Sequence, residues 1–213
     1  IFGVRGANGV IIITTKKAKE GQTRVNINTS FGWKSVVDKI AMTNADQFKE
    51  LYNEQLTNEE TALFDFSNWN ANTDWQDEIF QNGFITNNNI SITGASEKHS
   101  FYLGVGYSHE QGNIKHEKFS KVTINASNEY KLTDFFKVGF QLNGARILPA
   151  DAKQVLGAIR TTPVAPVYNT EYGLYTALPE FQKAQMNNPM VDVDLKANTT
   201  KAENYRASGS IYG

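Results

Sequence analysis

Apolar and polar residues alternate along most of the chain between residues 23 and 148. In the first run Val25, Ile27, Phe31 and Trp33 are apolar, and the residues between them are polar or small. The pattern recurs at residues 90–93, 101–108, 122–127 and 136–143. Alternation with a period of two is typical of a strand with one apolar and one polar face. It predicts five strands, several of them with the roughly ten residues that a tilted strand needs to cross a bilayer.

The connections between these strands alternate in length. They are long at 35–86, short around Glu97, medium at 110–118, short around Asp134 and long at 149–202, before a last predicted strand at Tyr205–Tyr212. Short turns at one end and long loops at the other are typical of a transmembrane antiparallel β-barrel. A soluble β-sandwich is the alternative, because its strands also alternate and pack their apolar faces on a second sheet.

The two faces of the predicted barrel wall differ in chemistry. The apolar face, turned outward, carries aromatic residues near both strand ends, as membrane interfaces favour; they are Trp33, Tyr107, Phe101, Tyr130 and Phe136. Asn128 interrupts that face. The polar positions are predicted to face the lumen; they are Asn26, Asn28, Ser30, Thr123, Asn125, Ser127, Gln141 and Asn143.

Other segments depart from the period of two. A glycine-rich turn precedes Val10–Thr15, whose continuous β-branched run predicts a strand buried on both faces. Apolar residues at helical spacing predict a helix at Asn44–Leu56 that is capped by Thr43 or Asn44, and Ala152–Arg160 is a second candidate helix. The chain begins inside a motif at Ile1, which suggests a fragment of a longer protein.

Composition and motifs offer little support for covalent chemistry. The net charge of −1 gives no basic surface for nucleic acid, and the absence of cysteine excludes thiolate metal sites and disulfides. His109, Glu110, His116 and Glu117 could gather around zinc, but their spacing specifies no further ligand. A calcium loop containing Asp192 and Asp194 would lack its glycine and terminal glutamate. We predict no enzyme activity, no cofactor and no metal. Candidate ligand contacts are the aromatic residues of the long segments, namely Trp69, Trp75, Tyr168, Tyr172 and Tyr175.

Several segments resemble one family closely. Ile1–Lys17 is similar to the end of the plug domain in the SusC-like TonB-dependent transporters of Bacteroidetes, the SusC/RagA family. Further segments that resemble the family are Thr73–Phe80, Asn89–Lys98, Phe135–Gly139, Thr161–Asn169 and Asn187–Pro189. The resemblance therefore extends over nearly the whole chain, and the plug segment is its most specific part.

The resemblance implies an all-β protein of the bacterial outer membrane that crosses the membrane many times. Residues 1–20 would end the plug domain, and residues 21–213 would begin a barrel of about 22 strands, with segments 35–86 and 149–202 as extracellular loops. It also implies a SusD-like lipoprotein lid, energy from the TonB-ExbB-ExbD complex, and import of oligosaccharides or oligopeptides. A siderophore or cobalamin receptor shares the plug and barrel, and a secreted glycan-binding sandwich is the alternative outside transport.

Overall fold

The computed structural model describes residues 20–150, 155–199 and 202–213, so the predicted plug strand at Val10–Thr15 lies outside the described residues. The strands are β1 (Arg24–Lys34), β2 (Gly83–Ala95), β3 (His99–Gln111), β4 (Lys118–Lys131), β5 (Lys137–Leu148), β6 (Tyr168–Asn169), β7 (Leu174–Tyr175) and β8 (Asn204–Tyr212). The helices are α1 (Ala45–Asn58), α2 (Trp75–Ile79), α3 (Val155–Arg160), α4 (Glu180–Lys183) and α5 (Pro189–Thr199). Among the described residues, no helix is both long and apolar enough to cross a membrane.

The long strands form one continuous antiparallel sheet. Its six strands follow the order β1-β2-β3-β4-β5-β8, so each strand pairs with the long strand before it along the chain. Strands β1 to β5 contain between 11 and 14 residues each. The predicted antiparallel sheet, including its last strand near Tyr205, is confirmed.

The register brings the apolar residues of neighbouring strands onto one face. Residues opposite each other in an antiparallel pair project from the same side of the sheet. Ile27 lies opposite Ile90, Ile90 opposite Val105, and Val105 opposite Ile124. The adjacent row lies on the other face and consists of Asn26, Ser91, Gly104, Asn125, Asn143 and Ser208. The alternation of each strand thus combines into one apolar face and one polar face.

No second layer covers the apolar face within the described residues. The exposed fraction is 68% for Ile27, 67% for Phe31, 51% for Ile124 and 54% for Leu142. A sandwich would bury these side chains against another sheet, and the described residues form no such second sheet over this face. Contiguous apolar surface of this extent normally marks contact with a membrane or another protein.

Asn128, which interrupts the apolar face, has a partner on the neighbouring strand. Its Oδ1 lies 3.2 Å from Nε2 of His99, whose ring stacks on Tyr130 with a centroid distance of 4.2 Å. All three residues lie at the short-turn end of the sheet. The amide is therefore hydrogen-bonded beside an aromatic ring rather than isolated on the apolar face, which makes it less costly there.

The structure contains the short turns and helices that the sequence predicts. The short turns close through Ser96 N donating to His99 O at 2.7 Å and Leu132 N donating to Phe136 O at 2.9 Å. Helix α1 begins after Asn44, whose side chain forms a reciprocal capping box with Gln47. Helix α3 falls within the predicted second helix, of which residues 152–154 lie outside the described ranges.

Candidate functional site

The three longer connections meet at one end of the sheet and pack together. We call the described parts of residues 35–82, 112–117 and 149–203 the apical unit. Its buried core combines Trp75 and Ile79 of the first connection with residues of the last, which are Ala158, Ala165, Val167, Leu178, Met190 and Val193. The two long connections therefore lie at the same end of the sheet, as the loop lengths predict.

Hydrogen bonds fix the first long connection to the last. Thr73 donates from its backbone N to Pro163 O and from Oγ1 to Ala165 O, each at 2.8 Å. The buried indole of Trp75 donates from Nε1 to Thr162 O, also at 2.8 Å. These bonds satisfy carbonyl groups in a buried stretch that would be costly to leave unpaired. They make the two connections one structural body.

The medium loop joins the same body. Gln81 donates from its backbone N to Asn113 O at 2.8 Å, and Lys115 donates from its backbone N to Ile79 O at 2.8 Å. His116, whose φ of 66° is in the left-handed region, places Nε2 2.8 Å from Oδ1 of Asp194 in α5. The apical unit thus contains all three connections at this end of the sheet.

The predicted ligand-contact aromatics have different environments. Trp75 is only 3% exposed, and half-buried Trp69 and Tyr175 pack against the core cluster. Tyr172 is 67% exposed and Tyr168 45% exposed. The ring of Trp75 fills the apical core and therefore has almost no surface for a ligand contact. The other four rings retain some accessible surface.

The exposed ring of Tyr168 lies beside that of Tyr175. The ring centroids are 4.8 Å apart, and Tyr168 Oη lies 3.4 Å from Tyr175 Oη. Burial raises the pKa of Tyr168 above its usual value, and the negative charges of Asp194 and Glu78 raise it further. The phenol therefore stays protonated at physiological pH and can donate a hydrogen bond.

A second aromatic cluster joins helix α1 to the last connection. It consists of Phe48, Tyr52, Phe64, Phe66 and Phe181. The rings of Tyr52 and Phe181 have centroids 4.6 Å apart, and Lys49 Nζ lies 5.6 Å from the Phe66 centroid. Helical spacing reveals that Phe48 and Tyr52 share a face, but no sequence signal indicates the distant Phe181. The sequence analysis therefore missed this cluster.

Comparisons with known proteins agree with this geometry, although no protein-family model matches the chain. TonB-dependent receptor P26 of Formosa agariphila is 31% identical over 221 residues, which cover 100% of this chain and 22% of that receptor. TonB-dependent receptor P3 of the same organism is 29% identical over 223 residues, covering 98% of this chain and 21% of the receptor. TonB-dependent receptor SusC of Bacteroides thetaiotaomicron is 31% identical over 177 residues, covering 80% of this chain and 17% of SusC. The chain is similar to one segment of TonB-dependent receptors that include SusC.

The chain spans about a fifth of the length of the curated relatives it matches. Solved structures give the same assignment at the level of the fold. The RagAB peptide transporter aligns with a TM-score of 0.68 and 18% identity, covering 90% of this chain and 26% of that chain. The RagAB peptide importer in its open-open state aligns with a TM-score of 0.66 and 19% identity, covering 100% and 28%. The curated relatives are named as receptors and none as an enzyme, in agreement with the predicted lack of enzyme activity.

Both histidines among the possible zinc ligands have other partners. His109 Nδ1 lies 2.8 Å from Ser120 Oγ, while His116 pairs with Asp194. Within the described ranges, no group of three or more histidine or acidic side chains could hold a metal ion. The conceivable zinc and calcium sites therefore have no assembled ligand set in this part of the chain.

Asn188 fixes the core of the apical unit, and we expect its removal to be costly. Its side chain, which is 2% exposed, donates to Val167 O at 2.9 Å and to Thr176 O at 3.1 Å, and it accepts from Met190 N at 3.0 Å. The Asn188→Ala variant should lower stability by about 1–3 kcal/mol because buried backbone groups lose their partners. Thermal unfolding of the purified full-length protein measures this loss. The exposed neighbour Asn187 supplies the control, and Asn187→Ala should leave the transition unchanged; equal shifts for the two variants would contradict the assignment.

Proposed function

We propose that this chain forms part of the wall and the extracellular mouth of an outer-membrane transporter that imports oligosaccharides or oligopeptides with energy from TonB. The single observation that carries the proposal is the sheet with two unlike faces, because its long strands have an uncovered apolar face and a hydrogen-bonding face. A membrane barrel needs this combination, since lipid meets one side of the wall and water the other. The proposed energy source, TonB, is supported by the relatives, which are named as TonB-dependent receptors.

The polar face is the proposed substrate path. The eight residues of this face that were predicted to face the lumen are neutral and can form hydrogen bonds, which suits a hydrated passage for sugars or peptides. All the predicted lumen-facing residues lie on this face in the observed register, namely Asn26, Asn28, Ser30, Thr123, Asn125, Ser127, Gln141 and Asn143. At the mouth, the accessible rings of Trp69, Tyr168, Tyr172 and Tyr175 are the proposed ligand contacts.

The apical unit is the proposed contact for a SusD-like lipoprotein lid. Support comes from its construction as one body with exposed aromatic residues, which are favoured at protein interfaces. The structural neighbour RagAB is a peptide importer by name. In the same proposal, residues 1–20 end the plug, residues 21–213 belong to the barrel, and segments 35–86 and 149–202 are extracellular.

Cysteine labelling tests the membrane assignment directly, and this chain contributes no cysteine to the background; any cysteine elsewhere in the receptor is first replaced by serine. In the full-length receptor in outer membranes, we expect Thr123→Cys and Asn125→Cys to react with a water-soluble maleimide. Ile124→Cys, on the same strand between them, should be protected because lipid covers its face. Equal reactivity at all three positions would contradict a membrane-spanning strand.

The same reagent tests which end of the sheet is extracellular. In intact cells, we expect a membrane-impermeant maleimide to label Tyr172→Cys, and to label Thr133→Cys only after the outer membrane is permeabilised. The opposite result would invert the topology.

Uptake measured after the receptor is returned to a strain that lacks it tests the cargo. Restored uptake of an oligosaccharide or peptide that also requires TonB supports the proposal. Restored uptake of an iron siderophore or cobalamin alone would favour that class of receptor instead.

A further inference from the structure

The apical unit contains an open cleft with a volume of about 620 Å³. Volumes of about 300–1,000 Å³ are usual for sites that bind small ligands. The cleft lies between the segment 39–44, the first turn of α1, and the junction of α2 with α3. It is distinct from the polar face of the sheet and from the Tyr168–Tyr175 pair.

One wall of the cleft is apolar and held in place. Ile40, Met42 and Phe48 line it, and the side chains of Ile40 and Met42 are about half exposed. The buried side chain of Gln76 fixes this wall, because Ile40 N donates to Gln76 Oε1 at 3.0 Å and Gln76 Nε2 donates to Ile40 O at 2.7 Å. A wall fixed in this way is preorganised for an apolar group.

Other residues of the lining supply hydrogen-bond donors. The guanidinium of Arg160 has no ion-pair partner among the described residues, and arginine binds carboxylates with two parallel hydrogen bonds. Asn72 accepts from Ala45 N through Oδ1 at 2.9 Å, which leaves its amide nitrogen free to donate. The buried Thr162 Oγ1, in the same lining, has no hydrogen-bond partner in the described structure.

The other charged groups of the lining are already engaged. Asp74 caps helix α2, since its Oδ1 accepts from Gln76 N at 2.9 Å and from Asp77 N at 3.3 Å. Lys39 forms an ion pair with Asp77. Among the described residues, Arg160 is therefore the charged side chain of the lining without a partner in the protein, and its positive charge favours an anion.

We propose that this cleft binds the C-terminal end of a short peptide whose last side chain is aliphatic. Arg160 pairs with the terminal carboxylate, the amide of Asn72 donates to the same group, and the aliphatic side chain packs on Ile40, Met42 and Phe48. A uronate sugar also offers a carboxylate, but it has no aliphatic side chain to cover the apolar wall. The inference rests on the proposed function in that it selects peptides from the two proposed cargo classes.

Calorimetry tests the proposal. It measures the affinity of the tetrapeptide Ala-Ala-Ala-Leu for the purified full-length receptor in detergent. We expect Arg160→Gln to weaken binding roughly ten- to a hundredfold, because a charge-assisted pair is lost. The same peptide with a C-terminal amide should bind the natural protein as weakly as the acid binds Arg160→Gln, and the two changes should not be additive. Lys183→Gln, which removes a positive charge from the same long connection but outside the cleft, is the control and should bind normally.

The apolar wall is tested separately. Met42→Ala should lower the affinity for Ala-Ala-Ala-Leu several-fold but leave that for Ala-Ala-Ala-Ala nearly unchanged, because only the first peptide reaches the missing side chain. The proposal is overturned if the natural protein does not bind the peptide, if Arg160→Gln or the amide binds as well as its counterpart, or if only an oligouronate binds. Because binding needs neither TonB nor a membrane, a failure of import leaves this result unaffected, and the two failures are distinguishable.

Discussion

The Ile124→Lys variant is expected to lower the stability of the full-length protein in lipid vesicles by about 2–4 kcal/mol, the usual cost of a lysine on the lipid face near the bilayer midplane. Ile124 lies in the middle of β4, between Val105 of β3 and Gly144 of β5, and all three belong to the apolar face. The lysine would have to carry its charge into hydrocarbon or distort the strand to reach water. The denaturant concentration at the midpoint of unfolding measures this effect.

The neighbouring residue provides a matched control for that experiment. Asn125 lies on the same strand, one position further and on the polar face, opposite Gly104 and Asn143. Asn125→Lys should lower the free energy of unfolding by less than about 1 kcal/mol, because the lysine charge then faces water. The midpoint of unfolding should therefore hardly change. If both variants lose the same stability, the apolar face does not meet lipid and the membrane assignment is wrong.

Trp75→Ala should lower the stability of the apical unit by about 3–5 kcal/mol, which is the usual cost of removing a fully buried large side chain. The indole is 3% exposed, packs in the core cluster, and donates to Thr162 O at 2.8 Å. Trp75→Phe should cost less, since it removes the hydrogen bond but keeps much of the packing. Hydrogen exchange of the apical amides, such as Thr73 N and Thr161 N, reports the loss.

The same exchange experiment shows whether the damage is local. The amides of β3 and β4 should keep their protection in Trp75→Ala, because the core of the apical unit does not include the sheet. Tyr172→Ala, at an exposed ring of the same unit, should leave the exchange of all these amides unchanged. A loss of protection throughout the sheet would mean that apical unit and sheet unfold together.

The sheet could be predicted from the sequence because each strand carries its own signal. The alternation that includes Val122 and Ile124 requires no knowledge of other strands, and the turn at Glu97 determines which strands pair. Helix α1 was predictable for the same reason, since Asn44 and Gln47 form its cap within one turn.

The apical unit could not be predicted because its contacts are distant in sequence. Trp75 meets Thr162, and Tyr52 meets Phe181, across the whole meander of strands. Nothing in the sequence around Trp75 distinguishes a buried ring from an exposed one, so the burial of this candidate ligand contact could not be predicted. The cleft beside Arg160 is formed by three such segments and has no signature in any one of them.

The arrangement of the apical unit also implies an order of assembly. Strands β2 to β5 follow one another with short or medium connections and can pair early, because closing such loops costs little entropy. Strands β1 and β8 join this meander across the two long connections, at its opposite edges. The apical core contains Trp75, which precedes strands β2 to β5 in the sequence, and Val167, which follows them. We expect this core to form only after the strands between these two residues have paired. We therefore expect the amides around Trp75 to become protected from hydrogen exchange late in folding, after the strands of the sheet have paired in their final register.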